Sequence, residues 1–267
     1  MKLRLALISV VLVLLVGVVV WFTWPRPTHV LVAVSWQGDI LRVEPGGASA
    51  PSMKSASGLI GLNCLAAAPG GRKAYSIRKA ADASWLIEID PKSLKVSTQL
   101  KLSQPLEVRG LAAARDGTLY AVATDESLSN SQALFKINAK TGACDRIGSL
   151  GIDGVQGLAF APDGRLFGYG IGYGQPGTRD ATIGVGLVEI NPKSASVRDI
   201  SERPAFVMQT IAFRPDGQLI GLTHNQDTGG FPRAALVAID SDTESMTLIG
   251  DTAGYFDLRG LDYVVAR

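Results

Sequence analysis

The sequence predicts an all-β fold, a five-bladed β-propeller, on three observations. A short apolar strand, a Pro-Asp-Gly or related turn and a second strand recur from Cys64 (CLAAAPGGRKAYSI), Gly110 (GLAAARDGTLYAVA), Gly157 (GLAFAPDGRLFGYG) and Thr210 (TIAFRPDGQLIGLT), and a truncated copy from Gly260 (GLDYVVAR) ends the chain. A second landmark, an apolar strand closing on an acid or amide and a turn, recurs from Val43 (VEPGG), Ile89 (IDPKS), Ile137 (INAKT), Ile190 (INPKS) and Ile239 (IDSDT). The two landmarks alternate and keep one period of about 50 residues, room for the four strands of a propeller blade. They are offset, so the chain begins with strands two, three and four of a blade and ends with strand one. Residues 260–265 are therefore expected to pair beside residues 29–36, closing the ring with one C-terminal and three N-terminal strands and removing exposed sheet edges.

Residues 5–24 form an apolar run broken by Ser9 and Gly17, with Thr23 near its end, long enough to cross a hydrocarbon core of roughly 30 Å as a helix. The expectation is an N-terminal transmembrane signal-anchor helix over residues 1–24, a stiff linker over 25–28 carrying Pro25 and Pro27, and the propeller domain over 29–267. Residues 16–24 offer no small-x-small cleavage site. Lys2 and Arg4 before the apolar stretch place the N-terminus in the cytoplasm and the propeller in the periplasm or outside the cell. A formal net charge of +2, with no long single-sign run, excludes nucleic acid as the expected partner.

Along the domain, residues 29–36 (HVLVAVSW) and 39–44 (DILRVE) alternate apolar and polar residues across Gln37-Gly38, a hairpin signal. In Ala161-Pro162-Asp163-Gly164 the proline supplies the φ of the second turn position and glycine stands fourth, as in a type I turn. Asp90, Asn138, Asn191 and Asp240 have side chains suited to bond backbone amides two residues on, ending the third strand of each unit. Cys64 and Cys144, the only cysteines, fall in an innermost strand and in an outer strand of the next unit, too far apart for a disulfide.

Strand direction puts the Pro-Asp-Gly and Asp/Asn turns on one face, the bottom, and the loops between strands two and three and between blades on the other, the top. The innermost strands alternate small and large residues, and the small set (Gly110 and Ala112, and equivalents) is expected to line a central channel. Asp262 stands at an alanine position and is expected to pair with an arginine. One polar residue precedes each innermost strand: Asn63, Arg109, Gln156, Gln209 and Arg259. By symmetry these form a ring at the top mouth of the channel, with two positive charges suited to a carboxylate, phosphate or sugar. Aromatic and polar residues of the top loops, Trp36, Trp85, Tyr173, His224, Asp227 and Tyr255, complete the candidate ligand-binding set. Basic bottom-turn residues, Lys73, Arg115, Arg165 and Arg214 among them, suggest that the bottom face lies against anionic lipid.

The Pro-Asp-Gly turns after the innermost strands, as in Ala161-Pro162-Asp163-Gly164, resemble those of bacterial β-propeller repeat proteins of the NHL, SMP-30-like and YncE-like group, over residues 29–267. The resemblance implies the propeller fold and no particular chemistry, because such propellers host hydrolases, lyases, lectins and scaffolds alike. SMP-30-like lactonases carry metal-binding acids near the channel, and here the matching positions are mostly not acids. There is no GxSxG, HExxH, CxxC or P-loop; Gly172 to Gly177 formally fits GxGxxG but is followed by a strand pattern rather than a helix. No cofactor or metal is expected. The sequence thus points to a membrane-anchored extracytoplasmic propeller that binds a small anionic or sugar ligand, or a protein partner, at its membrane-distal face. The alternative is a propeller-type lyase or hydrolase, with His224 and Asp227 or Asp125 as acid–base groups.

Overall fold

The computed structural model describes residues 28–44, 52–124, 132–170, 186–200, 208–223, 234–252, 255 and 257–266. Among these, twenty strands form five four-stranded antiparallel sheets. The first blade runs, from the axis outward, β20 (Leu258–Val265), β1 (His29–Ser35), β2 (Asp39–Val43) and β3 (Met53–Ala56). The second holds β4 (Ala66–Ala67), β5 (Ala74–Ala80), β6 (Ala83–Asp90) and β7 (Lys95–Lys101). The third holds β8 (Glu107–Ala113), β9 (Leu119–Thr124), β10 (Gln132–Ile137) and β11 (Cys144–Ser149). The fourth is β12 (Val155–Phe160), β13 (Leu166–Gly170), β14 (Gly186–Ile190) and β15 (Val197–Asp199), and the fifth β16 (Met208–Phe213), β17 (Leu219–Thr223), β18 (Ala235–Ile239) and β19 (Met246–Asp251). The C-terminal strand closes the ring as the offset of the landmarks requires, pairing His29 with Val265 at one end and Ser35 with Leu258 at the other.

The core is five apolar seams, one between each pair of neighbouring blades. Leu111 of β8 packs back on Cys64 and Ala66 of the second blade, and Ala112 packs forward on Leu158 of the fourth. Both faces of an innermost strand are therefore seam, which corrects the expectation that the small residues line a channel. They are small because the next strand's backbone is so close. A Cβ on Gly157 would stand 2.7 Å from the Ile211 nitrogen, and one on Gly260 2.3 Å from the Leu65 nitrogen. Large side chains on the other face fill the space that this approach leaves, each buried leucine contributing about 2 kcal/mol.

The bottom turns follow their residues. The Gly164 amide donates to the Ala161 carbonyl at 2.9 Å with Gly164 at a φ of +94°, and the Arg165 amide donates to Asp163 Oδ1 at 3.0 Å. The side chains of Asp90, Asn138, Asn191 and Asp240 each accept the amide two residues on at 2.9 to 3.0 Å. Both cysteines are free thiols; Cys64 is buried, and that burial pushes its pKa up to about 12.

The transmembrane segment expected ahead of the sheets is corrected. The described residues contain no helix, hence none long and apolar enough to cross a membrane, and residues 1–27, where the anchor and most of the linker were placed, lie outside them. The single-pass topology, the cytoplasmic N-terminus, the periplasmic or extracellular location and the membrane as partner all rest on that segment, find no support among the described residues and are carried no further. Four of the basic bottom-turn residues are engaged locally: Lys73 with Glu88 at 2.9 Å, Arg165 with Asp163 at 2.8 Å, Arg214 with Asp216 at 2.9 Å, and Arg115 with the Pro162 carbonyl.

Crowding at the axis gives a direct test. Gly260→Ala should cost about 3 kcal/mol in denaturant unfolding, because the methyl meets backbone that cannot yield. Gly164→Ala, which meets no atom within 4 Å and is strained only in φ, should cost about 1 kcal/mol.

Candidate functional site

Each ring residue sits at a β-bulge. Pairing between the first two strands of a blade shifts register between Val108 and Gly110, Val155 and Gly157, and Met208 and Thr210. On the closing strand the Val34↔Gly260 and Ser35↔Leu258 pairs step over Arg259. In the second blade the same shift falls between the Leu62↔Arg78 bridge and the Ala66↔Tyr75 pair, enclosing Asn63. A bulge leaves one residue outside the alternation and re-aims its side chain. Strict alternation would bury Arg109 in the seam with Leu111. Instead Val108 takes that place and Arg109 is released, half-exposed, at the mouth.

The five side chains do not form a symmetric ring. Gln209 Nε2 donates to Gln156 Oε1 at 3.3 Å, closing the fourth and fifth blades on each other. Asn63 Nδ2 donates to the Val108 carbonyl at 2.8 Å, tying the second blade to the third. Both arginines are paired with a carboxylate two residues earlier: Arg109 with Glu107, whose other oxygen lies 3.4 Å from Lys79 Nζ, and Arg259 with Asp257 at 3.2 Å. Each arginine at the mouth therefore meets a carboxylate of the protein, which reduces the pull on an arriving anion.

A groove of about 410 Å³ opens between the first three blades, lined by Trp36, Asn63, Lys79, Glu107 and Arg109 among others. Trp36 is fixed by its backbone, which donates to the Asp257 carbonyl at 3.1 Å and accepts from the Gly61 amide at 2.8 Å. The Arg259 guanidinium lies over its ring at 5.7 Å, a contact worth about 0.5–1 kcal/mol. Trp36 remains 40% exposed, and Ile60 close by in sequence to Gly61 is 58% exposed. A larger groove of about 560 Å³ lies on the bottom of the fourth blade, beside Asp163 and Asn191, and a similar one of about 480 Å³ lies beside Asp216 and Asp240 in the fifth. Their recurrence marks them as products of the repeated turn pair, so the mouth groove is the better candidate site.

Of the other expected residues, Trp85 packs against the seam between the first two blades and does not reach the groove. Tyr255 packs on the seam between the fifth and first blades, with Lys54 Nζ 5.4 Å from its ring centre. Tyr173, His224 and Asp227 lie outside the described residues, as does Asp125. Among the described residues no three His, Cys, Asp or Glu side chains gather as a metal site would require.

Asp262 behaves differently from its expectation. It meets no arginine within ion-pairing distance among the described residues; its Oδ2 accepts the Ala67 amide of the second blade and its Oδ1 the Tyr263 amide, both at 2.7 Å. The residue keeps some solvent contact, yet protein encloses the carboxyl and burial pushes its pKa up to about 7 against the pull of the two amides.

No protein-family model matches the chain, and no curated protein matches it. Among solved structures, a chain in the crystal structure of a nidogen/laminin complex is similar at a TM-score of 0.55 and 10% identity, over 90% of this chain and 100% of that one. A protein of unknown function from Bacteroides caccae gives 0.49 at 12% identity, over 90% and 99%. The Kuenenia stuttgartiensis hydrazine synthase gives 0.46 at 16%, over 72% of this chain and 50% of that one. The first likeness is one of fold and is carried no further.

The Asp262 carboxyl predicts a pH dependence. Its folded pKa lies above its unfolded value, so between about pH 4 and 7 the folded chain holds a proton that the unfolded chain releases, and the contribution of this group to stability falls as pH rises. Asp262→Asn keeps an acceptor for Ala67 and removes the charge. Thermal unfolding should show the variant more stable than the parent at pH 8, with the advantage gone near pH 4; an equal difference at both values would contradict the assignment.

Proposed function

We propose that this chain is a propeller-based binding module whose ligand occupies the mouth groove between the first three blades, contacting Trp36, Asn63 and Arg109. The observation that carries it is the convergence of three separate elements on one groove. The β1–β2 hairpin brings Trp36, the approach to the second blade brings Asn63, and the bulge of β8 brings Arg109. Two of these are bulge positions, where the sheet gives up a regular ladder to aim a polar side chain. An exposed indole beside a few convergent polar groups is the usual composition of a recognition site. Arg259 lies over the Trp36 ring at 5.7 Å and stiffens it. The Pro-Asp-Gly turns support kinship with the NHL, SMP-30-like and YncE-like propellers, with residues 29–267 as one folding unit.

The reading is tested without knowing the ligand. The full chain labelled with 5-fluorotryptophan gives separate signals for its four tryptophans, and Trp36→Phe assigns the one that matters. A set of small polar fragments should shift the Trp36 signal and leave Trp85 unmoved, and Asn63→Ala with Arg109→Ala should weaken those shifts at least about tenfold, the loss of about 1.4 kcal/mol. Fragments that leave Trp36 unmoved, or that move it equally in the double variant, would remove the site.

A further inference from the structure

Resting on that reading of the groove, the geometry points to a neutral polyhydroxylated ring, a carbohydrate without acidic groups, as the class of ligand it takes; we propose this from how its charged groups are already paired. Glu107 is held by Arg109 on one oxygen and by Lys79 at 3.4 Å on the other. An arriving carboxylate or phosphate would have to compete with Glu107 for the same cations. An apolar side chain entering the groove would strip water from three charges without replacing their hydrogen bonds, which is unfavourable.

A sugar ring meets neither obstacle. Each hydroxyl both donates and accepts, and the paired groups still offer both functions. A guanidinium has five N–H donors and a carboxylate about four lone-pair sites, so Arg109 and Glu107, both half-exposed, keep unused capacity after pairing with each other. The Asn63 amide has the same dual character and lines the groove, its Nδ2 held by the Val108 carbonyl. The remaining wall is Trp36, 40% exposed and stiffened by Arg259. An indole is a flat apolar surface against which the C–H face of a sugar ring loses water favourably. The volume of about 410 Å³ lies at the lower end of small-molecule sites and suits one or a few rings rather than a protein surface.

The test uses the full chain on an array of neutral oligosaccharides alongside sulfated and uronic-acid glycans, followed by titration of the best-retained glycan with the Trp36 fluorine signal as readout. The expected result is retention on neutral glycans that persists between about 50 mM and 500 mM salt, since screening acts on net charge. Glu107→Gln should weaken neutral-glycan binding about tenfold and raise retention on uronic-acid glycans, because Arg109 is then unanswered. Retention confined to charged glycans, retention lost in high salt, or an unchanged Glu107→Gln variant would overturn the proposal. So would an array with no retained glycan; if polar fragments still shift Trp36 the groove stands and only the ligand class falls, whereas silence in both experiments removes the site itself.

Discussion

The close approach of the five innermost strands at the axis governs the rest of this structure. Neighbouring backbones come so near at Gly110, Gly157 and Gly260 that no Cβ fits without displacing main-chain atoms. This sets the small residues on one face of each strand and the large ones on the other, and turns both faces into seams. It also makes the closing strand indispensable: β20 must lie between the fifth blade and β4, so the C-terminal residues are as deeply committed to the core as any others. The Asp262 carboxylate, reaching from β20 to the Ala67 amide at 2.7 Å, spans the same seam where β4 contributes only two paired residues.

The same crowding explains why the bulges matter. Near the mouth the strands must deliver one more large residue into the seam, and they do so by skipping a residue. Val108 and Leu111, Val155 and Leu158, Met208 and Ile211, and Leu258 and Leu261 each share a seam three positions apart. The skipped residue is polar and stands outside the apolar seam, partly exposed at Arg109, Gln156 and Arg259 and buried at Gln209. Packing and site are thus one device: the register shift that fills the seam also presents a hydrogen-bonding side chain to the mouth. Blade individuality enters only afterwards, through what each side chain finds there: a glutamine partner in the fourth and fifth blades, a carboxylate in the first and third, and a backbone carbonyl of the next blade in the second.

Much of this was legible in the sequence. Two independent landmarks of one period led to five blades, their offset to closure by the C-terminal strand, and the Asx positions to the bottom turns, because each rests on local backbone chemistry that a few residues determine. The bulges were not read, although a signal was present. LNCL at Leu62, VRGL at Val108, VQGL at Val155, MQTI at Met208 and LRGL at Leu258 repeat an apolar residue three positions apart, which a regular strand cannot place on one face. Assuming unbroken alternation also misassigned the small residues to a channel. The pairing of Arg109 with Glu107 and of Arg259 with Asp257 joins residues two positions apart, which ordinary alternation already sets on one side of a strand, so that signal too was present in the sequence. The apolar N-terminal stretch showed composition alone, and no described helix supports the anchor built on it.

The central claim, that a register shift and not the ordinary alternation of a strand delivers the mouth residues, is tested most directly by thiol accessibility. Single cysteines at Arg109, Gln156 and Arg259 would be compared with cysteines at their immediate neighbours Val108, Val155 and Leu258, in a Cys144→Ala background where the buried Cys64 thiol stays silent. Labelling by a small polar maleimide should be fast at the three bulge positions and slow at the three neighbours, which are 0 to 3% exposed. Comparable labelling within each pair, or faster labelling at the neighbours, would contradict the account.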